Sequence, residues 1–282
     1  FAVITPALIS GAVVERMDFR AWVAFVLLWS TFIYLPLAHM VWGPGGFLGL
    51  EGLGALDFAG GLVVEMASGV GAAVAAAVIG RRRNYPETSA PPHNVPFIVL
   101  GAGLLWFGWF GFNGGSALLA GNLASLACLT TNTSGAAAAL GWMLLETAQR
   151  GKPTAVGVAT GAVAGLVAIT PAAGFVSPLG GLVIGFAAAL VCNWALQLKN
   201  RSRLDDSLDV LPVHGVAGLL GIVLTGVLAL KTVNPAGADG LLAGNPAQLL
   251  IRLKAAGFAL LWVGVGTFVI LKLLAVVMPL RV

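Results

Sequence analysis

The chain has 282 residues, of which 59% are hydrophobic and 9% are charged, and its mean hydropathy is +0.96. Soluble domains carry about 25% charged residues because they need a water-facing surface, so this composition excludes a soluble enzyme. The high hydrophobicity also excludes a disordered chain. The sequence therefore predicts an integral membrane protein. Its net charge of +4 is attributed to basic cytoplasmic loops, and nucleic-acid binding is not predicted.

Nine apolar segments follow one another along the chain. A helix needs about 20 mostly apolar residues to cross a bilayer. The first segment is too short for that, so we expect the chain to begin inside a helix. The pattern predicts an all-α membrane protein with segments at 1–14, 21–41, 58–80, 96–118, 122–146, 153–170, 176–198, 210–230 and 255–278.

Basic residues give an independent test of this order. Two predicted segments separate each basic loop from the next, so these loops share one side of the membrane, on which the last segment also ends. Of the 15 Lys and Arg residues, three are expected on the other side, namely Lys231, Arg252 and Lys254. The positive-inside rule makes the richer side cytoplasmic. The basic residues predicted on this cytoplasmic side are Arg16, Arg20, Arg81, Arg82, Arg83, Arg150, Lys152, Lys199, Arg201, Arg203, Lys272 and Arg281.

Few ionisable residues fall within the predicted segments, where each costs about 2.5–3.5 kcal/mol and indicates a function by default. Asp57 and Asp209 open predicted helices, and we expect them to cap those helices. Glu146 and Lys272 lie near cytoplasmic segment ends, where snorkelling to the interface explains them. The two cysteines lack CxxC spacing, so neither a disulfide nor a metal site is predicted.

Two ionisable residues, Glu65 and His214, lie deeper, in segments that match each other. Segments 63–74 and 212–223 align with these residues in register, which indicates two related halves. The charge map gives the segments opposite directions, as in the inverted repeats of secondary transporters. A carboxyl and an imidazole in contact share protons as a coupled pair. Such a pair either moves protons or only joins two helices, and the residues alone leave both interpretations open.

Aromatic residues collect near the predicted outer ends of the segments. They include Phe1, Tyr34, Trp42, Phe110 and Phe112. Aromatic side chains at this depth are commonly interfacial anchors. A cation over an aromatic face, however, gains about 0.5–2 kcal/mol. An aromatic entrance followed by an acid–base pair fits a small cation that arrives charged and then sheds a proton.

Six segments together resemble the ammonium transporter family (Amt/Mep/Rh), and in particular its Amt branch. They occur in family order and at family spacing along the whole chain. The resemblance implies an eleven-helix fold with inverted five-helix repeats, of which about nine helices, the third to the eleventh, are present. Residues 1–282 would then form a single transmembrane transporter domain that lacks the first two helices and the C-terminal cytoplasmic tail. The segments are FAVITPALISGAVVERMDF (1–19), YLPLAHMVWG (34–43), GALDFAGGLVVE (54–65), GWFGFNGGSA (108–117), ITPAAGF (169–175) and LDVLPVHGVAGLLG (208–221).

The resemblance also implies roles for individual residues. Trp42 and Ser116 would form an outer ammonium-recruiting site, with Asp57 beneath it to organise it electrostatically. Phe1 and Phe112 would form a stacked phenyl gate below that site, with Phe1 also contacting the substrate. A homotrimer in the cell membrane, with one pore per subunit and no cofactor, follows from the same resemblance. Binding to a PII-type regulatory protein is family behaviour, and the missing tail leaves it as a candidate interaction only.

One residue departs from the family pattern. The usual pore contains two histidines, whereas here Glu65 stands at the first position and only His214 is retained. Similar acidic replacements occur in some fungal members, so transport is not excluded. The change alters the proton count of the pair, and we expect an altered pH dependence and looser discrimination between NH4+ and K+.

Three functions are weighed for this chain. In the first, an ammonium transporter binds NH4+, deprotonates it and conducts NH3, with the proton passing through Glu65 and His214. In the second, the chain is the sensor or receptor module of a signalling fusion, which the gene sequence beyond Val282 would reveal. In the third, it is an electroneutral NH3 or CO2 channel, a weaker fit because Trp42 and Ser116 match the Amt branch.

Overall fold

The structure is a computed structural model that describes residues 1–83, 85 and 91–282. In this part of the chain the regular structure is helical, apart from one bridge between Met17 and Arg281. A short 3₁₀ turn at Leu241–Ala243 precedes the last helix. The described residues also form nine helices of ten or more residues, namely α1 (Ile4–Val13), α2 (Phe19–Trp42), α3 (Gly61–Ile79), α4 (Val95–Gly114), α5 (Asn122–Arg150), α6 (Ala155–Ile169), α7 (Pro178–Arg201), α8 (Leu211–Leu228) and α9 (Pro246–Val277).

Each predicted segment corresponds to one of these helices, which confirms the all-α prediction. Six of them are long and apolar enough to cross a membrane, namely α2, α3, α4, α7, α8 and α9. Helices α1 and α6 are apolar but shorter, with 10 and 15 residues. The largest boundary error is in α9, which begins at Pro246 instead of residue 255. Arg252 and Lys254 suggested a loop, but both lie within the helix.

The helices pack as two hydrophobic cores. One core joins α1, α2, α3 and α9 with Ile222 of α8, and the other joins α5, α6, α7 and α8 with Trp109 of α4. Phe112, at the end of α4, packs against both. The contact between α3 and α8, described below, brings the two halves together.

The helix-capping prediction is confirmed at Asp57 and wrong at Asp209. Both carboxylate oxygens of Asp57 accept backbone N–H bonds at the start of α3. At the start of α8 the capping carboxylate belongs to Asp206, which accepts from Leu211 N–H at 2.7 Å. Asp209 instead has a φ of 60° and pairs with Lys199 at 2.6 Å. The internal repeat explains why Asp206 is the capping residue, because the alignment that matches Glu65 with His214 also matches Asp57 with Asp206.

Glu146 does not extend towards the interface as predicted. Its side chain is buried and folds back over the turn between α5 and α6. There its carboxylate accepts hydrogen bonds from the backbone N–H and the hydroxyl of Thr154, at 2.8 and 2.9 Å. The carboxylate thus holds the residue that caps α6, since Thr154 Oγ1 in turn accepts from Gly157 N–H.

Candidate functional site

Glu65 and His214 meet in the interior of the molecule. Glu65 Oε2 and His214 Nδ1 are 2.7 Å apart, and the two residues are 1% and 8% exposed. This hydrogen bond joins α3 to α8, between the two halves of the bundle. The carboxyl and the imidazole are therefore in direct hydrogen-bond contact and almost fully shielded from solvent.

Close backbone packing makes this contact possible. A Cβ atom on Gly69 would clash with Gly215, next to His214. A Cβ atom on Gly218 would lie 2.9 Å from Glu65 Cβ and 2.8 Å from the Met66 nitrogen. Each helix therefore presents a glycine to the part of the other helix that carries the ionisable residue. Small residues at a helix crossing are a common device in membranes, and here they set the separation of the carboxyl and the imidazole.

Four short π-helical stretches carry residues singled out from the sequence. Such stretches are rare and are frequent at functional sites, because the wider turn re-aims side chains and frees backbone groups. The stretch in α3 contains Glu65, and Ser68 Oγ donates to the Glu65 carbonyl at 2.9 Å. The four stretches are Ser30–Tyr34, Gly61–Met66, Phe110–Gly114 and Leu211–Val216. Periodicity does not reveal a π-turn, so the sequence analysis missed them.

An aromatic cluster forms where the N-terminal residue approaches the ends of α2 and α4. The rings of Phe1 and Phe112 are in contact as expected, with centroids 4.3 Å apart, but they meet edge to face at 66° and are not stacked. Trp42 lies 5.5 Å from Phe1, and Trp109 lies 5.4 Å from Phe112. The structure thus brings Phe1, Phe112 and Trp42 together, whereas Tyr34 is buried in the π-turn of α2.

Asp57 is tied directly to this cluster. Trp42 Nε1 donates to the Asp57 carbonyl at 2.7 Å, so the indole ring is fixed by the residue that caps α3. The two residues also line a surface depression of about 300 Å³, together with Glu51, Leu56 and Phe175. The depression opens beside the half-exposed Trp42 ring and is lined by two acidic residues, Asp57 and Glu51, whose charge favours a small cation.

Ser116 lies one turn beyond Phe112, past the end of α4. Its hydroxyl donates to the Phe112 carbonyl at 2.8 Å, and the side chain is half-buried. The hydroxyl oxygen keeps its acceptor lone pairs, so the residue can still bind a hydrogen-bond donor.

Two polar residues near the site were missed by the sequence analysis. Asn113, fully buried behind Phe112, donates from Nδ2 to Thr131 Oγ1 at 2.8 Å. It stands inside the motif GWFGFNGGSA, so a search of that motif for buried polar side chains could have found it. Arg252 is 1% exposed in α9 and had been placed in an outer loop. An arginine in a loop and one buried between helices look the same in the sequence.

Charged residues at the opposite end of the bundle join several loops. The backbone and guanidinium N–H groups of Arg82 bind the Asp205 carboxylate at 2.7–3.1 Å, and the buried Arg16 side chain lies 4.0 Å from it. Burial raises the pKa of Asp205, but hydrogen bonds from Arg82 and the charges of both arginines outweigh this effect and lower the pKa below its usual value. The Asp205 carboxylate likewise raises the pKa of Arg82. Both groups therefore stay charged.

A bundle of apolar helices with ionisable side chains at its buried centre is typical of multi-pass membrane transport proteins. Residues 1–282 match the model of the Ammonium Transporter Family along their whole length. The chain is 51% identical to an ammonium transporter of Aquifex aeolicus over 283 aligned positions, covering 100% of this chain and 65% of that protein. It is 47% identical to an ammonium transporter of Bacillus subtilis, covering 100% of this chain and 69% of the relative.

Solved structures agree with this assignment. The Saccharomyces cerevisiae Mep2 structure superposes with a TM-score of 0.89 at 40% identity, covering 95% of this chain and 63% of that one. A structure described as a Sensor Amt Protein superposes at 0.90 with 31% identity, covering 100% of this chain and 71% of that one. The chain belongs to the ammonium transporter family, a family of multi-pass membrane proteins that are named as transporters and not as enzymes. It spans about two thirds of the length of these relatives.

Proposed function

We propose that this protein transports ammonium and that Glu65 and His214 form the pore pair through which the proton passes. The observation that carries the proposal is the buried 2.7 Å contact between these residues, at the junction of the two halves. Burying an ionisable carboxyl and imidazole at this depth costs free energy, and their presence therefore indicates a function. Membership of the ammonium transporter family supplies the substrate class.

The outer part of the path would recruit the cation. NH4+ would sit against the Trp42 and Phe1 rings, where the cation–π attraction partly replaces its lost hydration, and would donate to the hydroxyl of Ser116. Asp57 would support the site from below through its negative charge and its bond to Trp42. The edge contact of Phe1 and Phe112 would form the gate that separates this site from the interior.

The chemical step would be a deprotonation. One N–H bond of NH4+ breaks, the proton passes to the Glu65–His214 pair, and the neutral NH3 crosses the apolar interior. The proton leaves the pair towards the cytoplasmic side, so each NH3 is accompanied by one H+. K+ has a similar size but no proton to give, so this route disfavours it relative to NH4+.

Current recording on the reconstituted full-length protein tests the proposal. We expect ammonium and methylammonium to evoke currents, with a smaller response to K+. Glu65→Gln keeps the hydrogen bond but removes the proton acceptor, and His214→Ala removes its partner. Each should lower the ammonium current at least about tenfold, since proton transfer by a positioned side chain commonly contributes 10²–10⁴-fold.

Size-exclusion chromatography of the same variants serves as the control for folding and assembly. Wild-type currents in both folded variants would contradict the role of the pair. Ammonium uptake without any charge movement in the wild type would instead favour the electroneutral channel.

A sensor function is the second candidate, and the similarity to the Sensor Amt Protein favours it. In a sensor, the Glu65–His214 pair would respond to ammonium with little transport. A kinase or cyclase domain encoded beyond Val282, together with ammonium binding but no current, would favour this alternative.

A homotrimeric assembly in the cell membrane belongs to the same proposal. Light scattering of the detergent-solubilised protein would give its mass. A pull-down of the full-length protein with a PII-type protein would test the regulatory interaction.

A further inference from the structure

Arg252 is a fully buried cation that the proposed transport does not use. It lies in the second turn of α9, is 1% exposed and packs against Gly226 of α8. Its Nε donates to Gln248 Oε1 at 3.3 Å, whereas its Nη2 has no hydrogen-bond partner among the described residues. Burying a guanidinium costs several kcal/mol unless it is paired or fully hydrogen-bonded. Packing alone therefore gives no reason for a positive charge at this position.

Gln248 connects this charge to the loop that leads to Asp57. Gln248 Nε2 donates to the Gly54 carbonyl at 3.1 Å, three residues before Asp57. These two hydrogen bonds lead from the guanidinium to the loop that carries Asp57, and a negative charge there would offset part of the cost of burying Arg252. The Asp57 carboxylate already accepts four backbone N–H bonds. Its effect on Arg252 is therefore a long-range electrostatic one and not a hydrogen bond.

We propose that Arg252 sets the cation affinity of the outer site by opposing the negative charge of Asp57. Asp57 is fixed beneath Trp42, so a positive charge that acts on Asp57 also acts on a cation bound there. The repulsion is poorly screened because Arg252 is buried, whereas the other carboxylate of the depression, Glu51, is exposed and screened by salt. Arg252 thus acts through its charge and does not touch the bound cation. This inference rests on the proposed ammonium transport.

Arg252→Gln removes the charge and keeps a polar side chain that can contact Gln248. We expect the half-saturating ammonium concentration for the current to fall about three- to tenfold, the effect of one poorly screened charge at a distance. Arg252→Lys keeps the charge and should stay within about twofold of the wild type. Lys254→Gln is the matched control, since Lys254 is exposed two residues further along the same helix, and it should leave that concentration unchanged.

Gln248→Glu provides a second test that does not depend on the folding of Arg252→Gln. It places a carboxylate at the position that accepts from Arg252 Nε and so neutralises the guanidinium without removing it, while it also removes the Nε2 donor to the Gly54 carbonyl. This variant should also lower the half-saturating concentration, although maximal current stays near that of the wild type.

The outcomes separate this inference from the proposed function. Folded Arg252→Gln or Gln248→Glu protein with a wild-type half-saturating concentration would overturn the role of Arg252 and leave transport intact. Absence of an ammonium current in the wild type would contradict the proposed function itself, and ammonium binding measured calorimetrically on the same variants would then test Arg252 alone.

Discussion

At the scale of single residues, two carboxylates are held inside the bundle in different ways. Asp57 accepts four backbone N–H bonds at the start of α3, where the helix dipole also favours a negative charge. Glu65 has the His214 imidazole as its side-chain partner. Backbone N–H groups cannot give up a proton at neutral pH, whereas an imidazole can. The structure therefore suits Asp57 to a fixed charge and Glu65 to proton exchange.

Asp57→Asn should lower the free energy of unfolding by about 2 kcal/mol, the upper range for a helix cap, because the site is buried. The amide keeps one acceptor oxygen but turns its NH2 group towards two backbone N–H donors. Thermal denaturation in detergent would measure the loss. Asp18→Asn is a suitable control, since Asp18 caps α2 in a more exposed position. Equal stability losses in the two variants would show that burial of the Asp57 cap is unimportant.

At the scale of the elements, the crossing of α3 and α8 determines the geometry of the Glu65–His214 pair. Gly69 and Gly218 occupy equivalent positions of the two repeats, and each faces the segment around the ionisable residue of the other helix. The π-turns at the start of both helices widen the backbone where Glu65 and His214 project. Helices α3 and α8 thus set both the distance between their backbones and the direction in which the Glu65 and His214 side chains project.

Gly218→Ala should disturb this crossing, because its Cβ would lie 2.9 Å from Glu65 Cβ. We expect a loss of about 1–3 kcal/mol in stability, typical of overpacking, and a reduced ammonium current. Gly103→Ala on α4 is the matched control, since no described atom outside the neighbouring turns of its own helix backbone lies within 4 Å of the new methyl group. A Gly218→Ala protein as stable and active as Gly103→Ala would mean that the crossing tolerates a wider separation.

At the scale of the whole molecule, the predicted cytoplasmic end is closed by ion pairs that connect distant parts of the chain. Arg16 follows α1, Arg82 follows α3 and Asp205 follows α7, so one carboxylate joins three loops. The arrangement agrees with the charge map, which placed these loops on one side. Because the loops belong to both halves, this cluster ties the halves together at one end, and the Glu65–His214 contact does so in the interior.

Asp205→Asn should lower the stability at pH 7 by about 3 kcal/mol, since it leaves Arg16 buried without its counter-charge. The pKa of Asp205 is lowered in the folded state, so its contribution is complete above the unfolded pKa of about 3.9 and is lost as the pH falls through the folded value. The difference from the wild type should therefore shrink below about pH 4. Denaturation followed between pH 3 and 7 would measure it.

Glu15→Gln is the control for this prediction. Glu15 also pairs with Arg82, at 3.4 Å, but its side chain is 62% exposed. We expect a change below about 0.5 kcal/mol, because exposed ion pairs contribute little. A constant stability difference between Asp205→Asn and the wild type across this pH range would show that charge is not its cause.

The sequence predicted the helices and the matching of Glu65 with His214, because both depend on local composition and an internal repeat. It did not predict which acidic residue caps α8. Asp206 and Asp209 both precede the helix, and only the backbone path, with Asp209 at positive φ, selects Asp206. Glu146 was misplaced for a similar reason, since its partner Thr154 is reached only after the chain turns back.

By itself, the sequence determined the membrane-protein class, the order of the helices and the small set of ionisable residues within them. These follow from how many apolar residues a bilayer requires and from the cost of placing charge in it. Only the tertiary structure decided the 2.7 Å contact of Glu65 with His214, the bond from Trp42 to Asp57 and the burial of Arg252. Each of these depends on residues far apart in the chain, and distances between helices are set by packing, which no local pattern encodes.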